Sequence, residues 1–193
     1  MARAAALLAP FFLAGCMPPW TVVTQEDPSP LLGITDYDLA DPGFANLVVG
    51  NDSEADYLAR QDAEKVAAWG DDKGKLAARF RAAATREAAR CGVKLVPPGG
   101  PGQFTVAPAI TFIEPGFYGG LVSESSTVMM TLSVTHAGKT VDEVTFSHST
   151  YPASGGNGIQ IPIFPSVTMR LEEDGSGLGQ IAGQYLCSRF KGK

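Results

Sequence analysis

The chain holds only two histidines and three cysteines in 193 residues, and that scarcity removes several chemistries. No Cys-x-x-Cys pair and no Cys/His pair at ligand spacing occurs, which leaves neither a zinc site nor a dithiol redox centre. There is no Gly-x-Ser-x-Gly elbow, and no Ser/His/Asp set stands out for nucleophilic catalysis. SGGNG at 154–158 lacks the Gly-Lys-Ser/Thr ending of a phosphate-binding loop. Asp71, Asp72 and Asp174 are scattered rather than spaced as a calcium loop. Fifteen Lys and Arg stand against twenty Asp and Glu, a net charge of −5. With no clustered basic patch to neutralise phosphates, a nucleic-acid partner is not expected. No apolar run reaches the roughly 20 residues of a membrane-spanning helix. The expectation is therefore no catalytic residue, no metal and no cofactor. His136 and His148 read as sheet-margin residues, with Glu114, Glu124 and Glu143 near them in sequence only.

What is present begins with MARAAALLAPFFLAGC. Arg3 gives a positive start, Ala4 to Leu13 form an apolar stretch broken by Pro10, and small residues lead to Cys16. That charge order matches a secretory signal over residues 1–15. LAGC resembles a bacterial lipobox. The resemblance implies cleavage before Cys16, acylation of that cysteine, and attachment to a membrane through the acyl chains. Met17 stands where an aspartate would retain a lipoprotein in the inner membrane, so the resemblance points to the outer membrane, facing the periplasm.

Cys91 and Cys187 remain. In an exported domain, two leftover cysteines suggest one disulfide, with two buried free thiols as the alternative. A composition of 45% hydrophobic and 18% charged residues is that of a folded domain. Residues 16–43, with Pro18, Pro19, Pro28 and Pro30, read as a lipidated cysteine and a tether. Trp20 reads as an interfacial anchor or an incidental hydrophobe. Residues 44–193 read as one domain.

Within it, FANLVVG (44–50) suggests a first strand, and residues 51–71 a helix or an insertion, with Asp52 or Ser53 as cap. Residues 72–92 form the clearest helix. Leu76, Phe80, Ala83, Ala84, Ala88 and Cys91 share one side, Lys75, Arg79, Arg81, Arg86 and Arg90 dress the other, and Gly92 supplies the C-cap. The basic side reads as a solvated helix face. Pro108 suggests an edge or bulge in the strand near 104–114. Residues 127–136 alternate Val128, Met130, Leu132, Val134 against polar residues, and 140–149 answer them across Ala-Gly-Lys, giving an antiparallel hairpin. A last helix opens at Ser166 and carries Leu178, Ile181, Ala182, Tyr185 and Leu186. Its Gly179 and Gly183 suggest a close approach of helix to sheet.

This order predicts an α+β fold: a mostly antiparallel sheet with two main amphipathic helices packed on it. LAARFRAAATREAARCGVKLV, TLSVTHAGKTVDEVTFS and GSGLGQIAGQYLCSRF resemble the periplasmic lipoprotein domains of the TolB amino-terminal and CsgG-like group, and a family of uncharacterised bacterial lipoproteins. The resemblance implies a non-enzymatic binding or assembly part of the cell envelope. No helical membrane-insertion segments of a CsgG pore are present, so no channel is inferred. Loops 115–121 and 153–165 combine glycine with large apolar residues and are the expected partner surface. Phe117, Tyr118, Ile159, Ile161 and Phe164 are its candidate contacts, and an envelope protein is the expected partner. The alternative is a periplasmic ligand-binding or hydrolytic domain with a pocket between sheet and helices.

Overall fold

The computed structural model describes residues 18–100, 102–120, 122–154 and 161–192. Among the described residues twelve strands and three helices follow one another: β1 (Thr21–Gln25), β2 (Asp36–Leu39), β3 (Val48–Val49), β4 (Asp52–Ser53), α1 (Glu54–Ala59), α2 (Ala63–Ala89), β5 (Lys94–Val96), β6 (Phe104–Glu114), β7 (Phe117–Tyr118), β8 (Ser123–Glu124), β9 (Ser126–His136), β10 (Lys139–Thr150), β11 (Ala153–Ser154), β12 (Ile161–Pro162) and α3 (Val167–Phe190). The fold is α+β. The main sheet runs β1-β10-β9-β6-β2-β5, with β3 beside β6 and β4 beside β3. The long pairs β10/β9 and β9/β6 are antiparallel. β2 lies parallel to both β5 and β6.

The β9–β10 hairpin follows the alternation in its residues. Val128, Met130, Leu132 and Val134 are buried, as are Val144 and Phe146 opposite them. Its two turn residues, Ala137 and Gly138, both take positive φ, 48° and 79°. That is the backbone twist a two-residue hairpin needs. Pro108 lies in an interior strand, contrary to a simple edge. Its carbonyl accepts from Gly43 N at 2.9 Å, on the side where β2 has already ended at Leu39. The missing N–H therefore falls in a local gap of the ladder.

α2 starts nine residues earlier than its apolar periodicity suggests, because Asp62 caps it by accepting from Lys65 N at 2.9 Å. Ser53 caps α1 and Ser166 caps α3 in the same way. Gly92, with φ 89°, turns the chain out of α2. Both long helices lie on one face of the sheet. Leu76, Phe80 and Ala84 of α2 and Leu171, Leu178, Ala182 and Leu186 of α3 close the core over Val106, Ile110, Val128, Met130 and Leu132.

Two expectations need correction. Residues 18–43 are not a tether throughout. β1 is the outer strand beside β10, and β2 lies inside the sheet between β5 and β6. Proline content suppressed helix here, as expected, but extended strands tolerate prolines at their flanks. Trp20 packs edge-on to Tyr185, with ring centroids 5.5 Å apart, which ties the residue before β1 to the core. The second correction concerns the glycines of α3. Gly175, Gly179 and Gly183 face α2, not the sheet. A Cβ on Gly179 would sit 2.4 Å from Phe80 O, and one on Gly175 2.4 Å from Leu76 O.

Cys91, just past α2, and Cys187, in the last turns of α3, form a disulfide with Cα atoms 5.7 Å apart. Among the described residues no helix is long and apolar enough to cross a membrane.

Candidate functional site

The two loops expected to form a contact surface are held together by one side chain. Arg170 lies four residues after Ser166, the cap of α3, in the first turn of that helix. It is 1% exposed. Its Nε and Nη2 donate to Pro115 O at 3.2 and 3.0 Å, and Nη2 also donates to Gly116 O at 3.2 Å. Its Nη1 donates to Phe164 O at 3.1 Å and Pro165 O at 2.9 Å. Burial lowers its pKa, and the nearby Asp174 carboxylate opposes that shift. A charged donor serving several carbonyls fixes the backbone of both loops at once.

Around this clamp the β7–β8 tip and the β11–β12 pair stand side by side. Gly116, with φ 61°, leaves room for Glu124 O and Ser125 beneath it. Ile163 and Phe164 N–H groups both donate to Pro152 O at 3.0 Å. Phe117 is 44% exposed, Ile161 61%, and Tyr118 and Phe164 are half-buried. Ile159 lies outside the described residues. The same end of the molecule adds Val122, Tyr151, Ile163 and Met169, all exposed. Of the five candidate residues, Phe117, Tyr118, Ile161 and Phe164 lie in the two segments whose bases Arg170 joins. A surface hollow beside it is lined by Arg79, Phe164, Met169 and Glu172, with Arg79 Nη2 and Glu172 Oε2 2.6 Å apart.

A second cluster lies beneath α3. Asp174 is fully buried. It accepts from Ser126 Oγ, from His148 Nδ1 at 2.9 Å, and from Thr150 Oγ1 at 2.7 Å. Gly177 makes room for the imidazole, since a Cβ there would come 2.1 Å from His148 Cδ2. Ser126 and His148 both donate to the same carboxylate. In a serine relay the hydroxyl donates to the imidazole instead. This arrangement ties α3 to β9 and β10. His136 sits at the other end of the hairpin, stacked on Phe104 at 4.6 Å, so the two histidines do not meet. Another buried carboxylate, Asp142, accepts from Tyr185 Oη at 2.6 Å and Arg189 Nε at 2.7 Å. Burial and that carboxylate push the Tyr185 phenol well above its ordinary pKa. Among the described residues no group of three or more His, Cys, Asp or Glu is placed to hold a metal ion. The sheet–helix interface of the alternative reading is packed with the side chains of the core.

No family model and no curated sequence matches the chain. Solved structures similar to it include two of the PelC dodecamer from Paraburkholderia phytofirmans. One is 8% identical over 86% of this chain and 97% of that chain, with a TM-score of 0.45. The other is 8% identical over 84% and 96%, with a TM-score of 0.43. Protein XCC0632 from Xanthomonas campestris, described under DUF330, is 14% identical over 85% of this chain and 90% of that chain, with a TM-score of 0.46. The TolB and CsgG-like resemblance rests on the quoted residues alone.

The sequence reading did not single out Arg170, and it took Asp174 only as a scattered carboxylate. The available signal was position: both are four apart on α3 and fall on its buried side with Leu171 and Leu178. A charge on an apolar helix stripe marks a buried polar contact.

Proposed function

We propose that this chain is a bacterial lipoprotein, acylated at Cys16 and facing the periplasm from the outer membrane, that acts as a non-enzymatic binding or assembly component of the envelope. The observation that carries this reading is the Arg170 platform. Two loops distant in sequence are fixed to one another, and they present Phe117, Val122, Ile161 and Ile163 outward. Leaving large apolar side chains in water on a fixed backbone is unfavourable for a free domain and suits a protein partner. LAGC and the Cys91–Cys187 bond both fit an exported chain.

The test is photo-cross-linking from positions 117 and 161 in the native membranes, followed by mass spectrometry of the captured species. The expected result is one discrete envelope protein captured from both positions, with capture lost in a Cys16→Ala variant. Capture of nothing from either position would contradict the platform as a binding surface.

A further inference from the structure

The distance between Cys16 and the folded body is short. Trp20 is packed on Tyr185, and Thr21 is already in register with Thr145 of β10. Three residues lie between Cys16 and Trp20, and those four steps at about 3.6 Å each span at most about 14 Å. The headgroup layer on each side of a bilayer is itself roughly 5–8 Å deep. Once that layer is crossed only about 6–9 Å of reach remains, so an acylated Cys16 keeps the start of β1 close to the headgroup surface.

The composition of this edge fits that position. Residues 17–25, MPPWTVVTQ, contain no charge; the first is Glu26. All five residues of β1 are exposed, with Val22 at 45% and Val23 at 54%. Among the described residues β1 pairs only with β10, so its outer row of N–H and C=O groups faces outward. An uncharged, β-branched open edge is a pairing hazard unless something covers it. Its polar backbone needs water or headgroup oxygens, which places it at headgroup depth and not in hydrocarbon.

We propose that β1 is a membrane-contacting edge, seated against the bilayer that holds the chain's own anchor. This rests on the reading of Cys16 as acylated. The main sheet then stands edge-on, with β5 five strand spacings away, at about 24 Å.

The test uses the acylated full chain in vesicles of phosphatidylethanolamine and phosphatidylglycerol. A polarity-sensitive fluorophore is placed through Val23→Cys, through Thr24→Cys as a second β1 position, and through Lys94→Cys on the exposed far edge. Flotation and the mass of the Cys16 peptide are read first, then quenching by headgroup-labelled lipid. The expected result is at least threefold stronger quenching at Val23 and Thr24 than at Lys94. Equal quenching on floating, acylated protein overturns this orientation alone. Cross-links between Val23 positions of two chains at low protein density would seat a second copy on β1 and overturn it as well. A Cys16 peptide without acyl mass, in protein that does not float, overturns the lipoprotein reading and this proposal with it.

Discussion

Among the described residues Arg170 makes five hydrogen bonds, all to main-chain carbonyls of the two loops and none to a carboxylate. Such a residue stabilises by ordering backbone, and its own desolvation offsets part of the gain. Arg170→Met keeps the stem volume and leaves four carbonyls without their donor. We expect a loss of about 2 kcal/mol. We further expect amide exchange to quicken in 115–124 and 161–165 more than in β9 and β10. Unchanged exchange in those loops would contradict the clamp. At this scale the sequence was least legible. Phe117 and Ile161 stand out because apolar residues in glycine-rich loops are conspicuous. Arg170, Asp174 and Asp142 do not, because a charge reads as surface until its buried partners are known. Pro115 is 55 residues from Arg170 in sequence, too far to announce itself as a partner.

α3 lies close on α2 because its contact row is glycine. Gly175, Gly179 and Gly183 repeat every four residues and admit the α2 backbone near Leu76, Phe80 and Ala88. Interior glycines cost helix propensity, about 1 kcal/mol each relative to alanine. Gly179→Ala recovers that propensity but drives a methyl into Phe80 O, and overpacking costs about 1–3 kcal/mol. Gly74→Ala, at a site with nothing within 4 Å, recovers propensity alone. Urea unfolding should therefore show the first variant less stable and the second more stable by about 0.5–1 kcal/mol. Equal gains from both would contradict the close approach. The β9–β10 hairpin and the cap at Ser166 were readable because each depends on local chemistry, and Ser53 was one of two candidates for the first cap. The glycine row was visible too, but its target was not: nothing local distinguishes a helix partner from a sheet partner. β1 and β2 were missed for a related reason. Short strands among prolines have little periodicity, and their places in the sheet depend on β10, β5 and β6, far along the chain.

At the scale of the whole molecule, a single core joins the sheet to both helices, and the disulfide links residues 96 apart where the helices end. By the chain-entropy model a loop of that length can stabilise by about 4–5 kcal/mol. The loop platform and β1 share no residues, so the proposed membrane contact and the proposed partner surface need not compete. The proposed attachment rests on consecutive residues, MARAAALLAPFFLAGC. The shortness of the segment between Cys16 and β1 could not be read there, because it depends on where the sheet begins. The central claim is acylation at Cys16, and its most direct measurement is the mass of the amino-terminal peptide of the protein taken from bacterial membranes. The account predicts a peptide that begins at Cys16 and carries diacylglycerol and an N-linked acyl chain. A mature chain that begins elsewhere, or an unmodified Cys16, would contradict it.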